Sequence, residues 1–205
     1  ITSAMEDDAL ASIYLSDLKG DQAEATAELL NILLQPAFYD QIRTQEQLSY
    51  SPFTASFPVD ESVAVGLFTQ SPAASNAQLY ARFAAFLKGF HKQLESTTEQ
   101  EFAAIKKAHI ANYLAKPTSL ADEFSYLNNQ WLSLKAEIDN KQDYIESLFA
   151  VSLTDIKQFF QNIFTNGRNA QPIFIQVQGT KFIKEAPLHL ENEVTIANID
   201  TLPKH

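Results

Sequence analysis

Residues 41–53, which read QIRTQEQLSYSPF, mark the point where a helical pattern gives way to a strand pattern. Upstream of this stretch, apolar side chains recur at helical spacing, and Ile42 extends that stripe by one more turn. Because Pro52 disfavours helical conformation at Ser51, we expect this helix to end near residues 48–49. The members of the upstream stripe are Leu29, Leu30, Leu33, Leu34, Ala37 and Phe38.

A hairpin of two half-buried strands is expected directly after this stretch. Residues 53–57 and 62–70 both alternate between apolar and polar side chains, and the segment PVDE between them has the composition of a turn. The residues expected to face the core are Phe53, Ala55 and Phe57 in the first strand, and Val63, Val65 and Leu67 in the second.

In the preceding helix, Pro36 removes one backbone hydrogen bond, which predicts a kink or a restart there.

The rest of the chain predicts a strand over residues 9–15, a block of helices in the middle, and a closing strand over 172–178. The helices are expected at 79–94, from the capping box of Thr98 and Glu101 onward, after Pro117 (Leu120, Phe124, Leu127 and Trp131), at 144–149 and at 152–164. This order indicates an α+β fold, a mostly antiparallel sheet covered by a layer of helices. We expect one domain over residues 1–205, with a core at about 8–178 and a C-terminal tail at 179–205.

Composition excludes several classes of function. A net charge of −10 disfavours a large surface for nucleic acid or for anionic lipid, because both require clustered Lys and Arg. No apolar run approaches the roughly 20 residues of a membrane-spanning helix. The absence of cysteine excludes disulfides, thiolate metal ligands and a cysteine nucleophile. It leaves the cellular compartment open.

None of the common catalytic motifs is complete in this chain. The four histidines occur in neither H-E-x-x-H nor H-x-x-E-H, and no two have the spacing of paired metal ligands. We expect His109, on the face of Phe102 and Ile105, to be a packed core residue, and His91 to pair with Glu95 on a solvated helix face. There is no G-x-S-x-G elbow and no glycine-rich phosphate loop.

Arg43 and Tyr50 are the candidate functional pair. In a continuing helix, both would share a face with Glu46 and Gln47, and a guanidinium and a phenol there could donate hydrogen bonds to a peptide carbonyl or an oxyanion. The simpler interpretation is that Arg43 pairs with Glu46 or Gln47, while Tyr50 covers an edge of the core. Spacing alone favours that simpler interpretation, since such pairs are common on helices.

Residues 42–50, IRTQEQLSY, resemble a hallmark of the last of four homologous domains in the insulysin/pitrilysin family of zinc metallopeptidases. Other segments are similar to that domain in the same order along the chain, covering most of residues 5–178 and continuing into the tail. These segments are EDDALASIYL (6–15), GLFTQSP (66–72), TTEQEFAAIKKAHIANYLAKP (97–117), SLTDIKQFFQNIF (152–164) and VTIANIDTLPKH (194–205).

The resemblance implies a specific role for this chain. In that family, the zinc and the general base belong to an H-x-x-E-H helix of the first domain, the inverzincin arrangement, and two halves close around a peptide. It implies that Arg43 and Tyr50 contact the peptide backbone and that Tyr50 stabilises the tetrahedral intermediate. The chain would then be the substrate-binding fragment of a four-domain peptide-degrading enzyme, inactive alone, with no metal of its own and zinc in the full-length protein. Its partners would be a peptide substrate and the N-terminal zinc-bearing domains of the same polypeptide.

Two alternatives remain open at this point. The fold also occurs in relatives that have lost zinc and serve as structural or assembly subunits, and a free-standing binding module is a third possibility. Retention of both Arg43 and Tyr50 favours the catalytic interpretation, because a structural subunit has no chemical need for them.

Ser49 replaces the family's usual glycine before Tyr50, which raises the question of whether this position needs a positive φ. The lack of cysteine and the family's habits favour a bacterial periplasm.

Overall fold

The protein forms an antiparallel sheet packed against helices, as the sequence predicts. The computed structural model describes residues 4–115, 119–121, 123–124, 141–165 and 172–189. Its strands are β1 (Asp8–Lys19), β2 (Phe53–Val59), β3 (Ser62–Ser71) and β4 (Ile173–Val177), in the spatial order β2-β3-β1-β4. Its helices are α1 (Asp21–Tyr39), α2 (Asn76–Ser96), α3 (Glu99–Leu114), α4 (Lys141–Ala150) and α5 (Leu153–Phe164). The predicted α+β class is confirmed.

In β1, one face is buried under the helices and the opposite, open face is partly exposed, whereas β3 also buries Ala64 on that open face. Along β1, buried and partly exposed residues alternate from Asp8 to Ser16, as expected for a sheet covered on one side. β1 pairs antiparallel with β3 and with β4, so that Leu10 lies opposite both Thr69 and Gln176. The buried set of β3 includes the predicted residues Val63, Val65 and Leu67.

The prediction for the faces of β2 is wrong. Thr54 is 6% exposed and lies opposite Leu67 on the helix-covered face, whereas Phe53 is 48% exposed. α1 supplies the physical reason, because the Thr54 hydroxyl donates a 2.6 Å hydrogen bond to Oδ1 of Asn31 and is thereby satisfied when buried. Phe53 stacks instead on Phe68 on the open face, with ring centroids 4.7 Å apart.

The core is built where α1 crosses α2 and α5. Phe38 packs edge-to-face against Phe83 and Phe86, with ring centroids 5.2 and 5.1 Å away. Each fully buried phenylalanine contributes on the order of 1.5–3 kcal/mol, which makes this crossing a rigid base for the chain that follows α1. The predicted stripe residues that are buried within α1 are Leu29, Leu30, Leu34 and Phe38, while Leu33 and Ala37 are partly buried.

The end of α1 differs from the prediction. The helix runs through Pro36 without a restart and passes directly into a π-helical segment, Asp40–Gln45. It therefore ends before residues 48–49. Gln47, with a φ of 55°, takes the left-handed conformation typical of a helix terminus, and the Leu48 N–H donates to the Ile42 carbonyl at 2.9 Å. Wider π turns are frequent at functional sites, because they change the direction of the side chains that follow.

Several other expected elements are confirmed. The Thr98–Glu101 capping box opens α3, and a second box, between Ser152 and Asp155, opens α5. Most of the helix expected after Pro117, including Leu127 and Trp131, lies outside the described residues, as does most of the tail. Among the described helices, none combines the length and the apolar character needed to cross a bilayer.

Candidate functional site

The candidate site is the segment between the π-helical turn and β2, which we call the 46–50 loop (Glu46–Tyr50). Arg43 projects from the π-helical turn, and both Arg43 and Tyr50 are exposed, Tyr50 by 74%. The helical face predicted to join Arg43, Glu46, Gln47 and Tyr50 does not form, because the helix has ended and Gln47 reverses the chain direction. Tyr50 lies in neither a helix nor a strand.

The structure joins Arg43 to Tyr50 through the backbone. The Nη1 atom of Arg43 donates a hydrogen bond to the carbonyl oxygen of Tyr50. The guanidinium also lies over the ring of Tyr39, with Cζ 5.4 Å from the ring centroid, a cation–π geometry. Arginine has five N–H donors, so this arrangement leaves others to point outward.

The simpler interpretation of these residues does not match the geometry. Glu46 binds Arg82 of α2, not Arg43: Nε of Arg82 is 2.8 Å from Oε2 of Glu46, and Nη2 donates to Oε1. The Arg82 guanidinium holds the pKa of the Glu46 carboxyl below its usual range, so this group is an anion at neutral pH. Tyr50, being largely exposed, does not cover the core edge.

Ser49 answers the question raised by the missing glycine. Its side chain is buried, and its Oγ accepts a hydrogen bond from the Ser51 N–H at 3.2 Å. The positive φ of this loop falls at Gln47, two residues earlier, and Ser49 is not among the residues with positive φ. Serine is therefore compatible with this backbone and stabilises the turn into β2.

Two residues that sequence reasoning missed, Arg82 and Ser71, hold this loop from outside. Ser71, at the end of β3, is fully buried and donates from Oγ to the Leu48 carbonyl at 2.5 Å. Neither residue has a recognisable motif, since Arg82 is 36 positions from Glu46 and reads as an ordinary cation on a helix. Only the packing of α2 and β3 beside the loop reveals them.

Two of the histidines, His91 and His109, lie beside carboxylates. Nε2 of His109 lies 3.0 Å from Oε1 of Glu28, and the hydroxyl of Tyr144 donates to Oε2 of the same carboxylate. His109 is thus a partly buried polar contact between α3 and α1, rather than the packed core residue expected. His91 pairs with Glu95 at 3.6 Å, as predicted. Within the part of the chain that the structure describes, no three His, Asp or Glu side chains come close enough to hold a metal.

The site can therefore donate hydrogen bonds and supply positive charge. It offers an exposed phenol and a guanidinium with spare N–H groups, both suited to a carbonyl or to a developing oxyanion. The one carboxylate of the loop, on Glu46, is already bound by Arg82.

Comparisons with known proteins find similar chains. The family described as "PQQ synthase PqqF-like, C-terminal lobe domain 4" matches residues 29–128, which include the loop. "Protease 3" of Escherichia coli strain K12 is 26% identical over 197 residues, covering 96% of this chain and 20% of that protein. "Putative zinc protease mug138" of Schizosaccharomyces pombe is 25% identical over 170 residues, covering 81% of this chain and 17% of that protein.

A solved structure extends the likeness to three dimensions. The crystal structure of pitrilysin superposes with a TM-score of 0.78 at 26% identity, covering 93% of this chain and 20% of that one. The chain thus spans about a fifth of the length of the relatives that it matches. Together, the α+β fold, the IRTQEQLSY segment and these matches show that the chain is similar to the C-terminal domain of pitrilysin-type proteases, in agreement with the resemblance found in its sequence.

Proposed function

We propose that this chain is the substrate-binding C-terminal domain of a peptide-degrading zinc endopeptidase, inactive alone, and that it completes an active site whose zinc-bearing residues lie in other domains of the same polypeptide. The observation that carries the proposal is the hydrogen bond that joins Arg43, on the π-helical turn, to the backbone of Tyr50, whose side chain is exposed at the end of the 46–50 loop. An exposed phenol contributes little to stability, so folding alone gives no reason for a tyrosine at position 50.

Each of the two side chains has a defined task in this proposal. The phenol of Tyr50 donates a hydrogen bond to the oxygen that becomes negative when the scissile carbonyl turns tetrahedral. The free N–H groups of Arg43 bind a backbone carbonyl of the peptide and hold it beside Tyr50. The zinc, when bound by its own domain, supplies Lewis-acid polarisation of the scissile carbonyl.

The test of the proposal is Tyr50→Phe in the full-length parent polypeptide. Loss of one oxyanion donor predicts a fall in kcat on the order of 10²-fold, with a smaller change in KM, in steady-state assays on a peptide substrate. Tyr39→Phe is the matched control: this nearby tyrosine is 39% exposed, and the change keeps the ring beneath Arg43. An unchanged kcat in Tyr50→Phe removes this residue from the mechanism.

A second test separates this proposal from a structural role. We expect the isolated chain to bind no stoichiometric zinc in equilibrium dialysis and to cleave no peptide, while the full-length parent does both. A parent that binds no zinc and cleaves no peptide, yet assembles with a partner subunit, contradicts the proposal and favours the structural alternative.

A further inference from the structure

The 46–50 loop adopts a backbone conformation that depends on contacts from outside the loop. It contains no regular secondary structure, and Gln47 has a φ of 55°, a conformation that residues other than glycine rarely adopt. Such a conformation persists only where surrounding contacts determine it. The position of Tyr50 therefore depends on what holds the loop.

The first external contact is the pair between Glu46 and Arg82. The guanidinium forms two parallel hydrogen bonds with the carboxylate, and Nε2 of Gln41 donates a third at 2.9 Å. Bidentate pairs of this kind are strong and fix orientation as well as distance. Arg82 is itself held in place, because its neighbour Phe83 is buried against Phe38 in the core.

The second external contact is the Ser71 hydroxyl. Its oxygen accepts backbone N–H groups from Ala73 at 3.1 Å and Ala74 at 2.9 Å. A hydroxyl has one proton and two lone pairs, so these contacts leave the proton to the Leu48 carbonyl. The bond to Leu48 lies two residues before Tyr50 and ties the loop to the end of β3.

We infer that Arg82, acting through Glu46, and Ser71, acting through Leu48, are positioning residues for Tyr50. The inference deepens the proposed function and rests on it for its catalytic consequence. α2 and the end of β3 together hold the loop, and the Arg43 hydrogen bond to the Tyr50 carbonyl completes the arrangement from within. Neither Arg82 nor Ser71 needs to touch the peptide.

Arg82→Ala in the full-length parent tests the inference. Misplacement of Tyr50 predicts a fall in kcat of roughly tenfold or more, with KM changed less than about threefold. Arg82→Lys should recover little of the loss, because an ammonium lacks the planar fork that binds both carboxylate oxygens. Lys88→Ala, another exposed cation on α2, is the matched control and should leave both constants unchanged.

A double mutant distinguishes positioning from general destabilisation. If Arg82 acts through Tyr50, then Arg82→Ala costs little further activity in a Tyr50→Phe background, whereas independent effects multiply. The inference is overturned if the losses of activity from the two changes multiply in the double mutant. It is also overturned if Arg82→Ala has a normal kcat while Tyr50→Phe is impaired.

Amide hydrogen exchange gives a readout that is independent of catalysis. Arg82→Ala and Ser71→Ala should each accelerate exchange of the Leu48 N–H, which is bonded to the Ile42 carbonyl. If Tyr50→Phe leaves kcat unchanged, the proposed function fails, but hydrogen exchange still tests whether Arg82 and Ser71 hold the loop. Faster exchange of the Leu48 N–H in the two variants supports this role, and unchanged exchange overturns it.

Discussion

Arg43 binds the backbone carbonyl of Tyr50, and not its phenol. This contact helps to fix the backbone of the tyrosine while its phenol remains exposed and available to a ligand. The π-helical turn and the reversal at Gln47 bring the Tyr50 carbonyl back towards the helix end. Two residues seven positions apart can therefore form this contact. The two residues form one unit.

Arg43→Lys should impair the full-length parent even though it keeps the charge. A lysine ammonium lacks the fork that can bind the Tyr50 carbonyl and a peptide carbonyl together, so we expect kcat/KM to fall roughly 10- to 100-fold. Steady-state kinetics on a peptide substrate measure the effect. The control is Lys92→Arg, at an exposed cation of α2, which should leave the kinetics unchanged. Arg82→Lys cannot serve as the control, because that change is itself expected to reduce activity. Wild-type kinetics in Arg43→Lys would show that the charge alone suffices.

Asp8→Ala should destabilise the chain strongly. The Asp8 carboxylate is buried and accepts the N–H groups of Asn76 at 2.8 Å and Gly179 at 2.7 Å, joining β1 to the start of α2 and to the second residue after β4. Removing it leaves two donors unsatisfied, at a cost of about 2–4 kcal/mol in the free energy of unfolding. Urea titration measures this change. Asp7→Ala, at the adjacent and more exposed carboxylate, should cost less than about 1 kcal/mol.

Two glycine-to-alanine changes should have opposite signs. A Cβ at Gly179 would lie 2.3 Å from the Glu6 carbonyl oxygen and 2.4 Å from that of Asp7, so backbone must move and stability should fall by about 2 kcal/mol or more. A Cβ at Gly89, within α2, meets nothing within 4 Å and should raise stability by about 0.5–1 kcal/mol. Thermal melts of both variants compare them directly. Equal effects would contradict the packing at Gly179.

Stability should fall in acid partly through Glu28. Burial alone raises the pKa of this carboxyl, but contacts from His109 and Tyr144 outweigh burial and leave the pKa below its usual value. A pKa that is lower in the folded state means that the carboxylate stabilises the fold above the ordinary Glu pKa. That stabilisation is lost as the pH falls through the lower, folded value.

Tyr144→Phe tests this pH dependence, because it removes one donor to the Glu28 carboxylate. The variant should be less stable than the wild type at pH 6, and the difference should shrink as the pH falls through the lowered folded-state pKa of Glu28 and the carboxylate is lost. Urea unfolding at a series of pH values from 6 downward measures this change. Tyr50→Phe, at an exposed phenol, should show no such dependence. A pH-independent deficit in Tyr144→Phe would assign its effect to packing alone.

Local sequence pattern determined most of the secondary structure of this protein. The alternation of β1, the stripe of α1, the capping box at Thr98 and the run from Ser152 to Phe164 each reflect interactions between residues near in sequence. Such interactions depend on the spacing of apolar residues and on hydrogen bonds to neighbouring backbone groups. They can therefore be read without knowing what packs against them. The candidate pair Arg43 and Tyr50 also came from sequence, through resemblance and not through spacing.

Tertiary structure alone decided the face of β2 and the geometry of the loop. Thr54 is buried because Asn31 of α1 satisfies its hydroxyl, and no alternation pattern within β2 contains that partner. Likewise, Glu46 turns away from Arg43 because Arg82, 36 residues later, offers a bidentate contact. Polar groups take the partners that folding brings near them, and the strongest of these lay far along the chain. The sequence by itself singled out the two candidate residues, and packing with α2 and β3 determined how they are held.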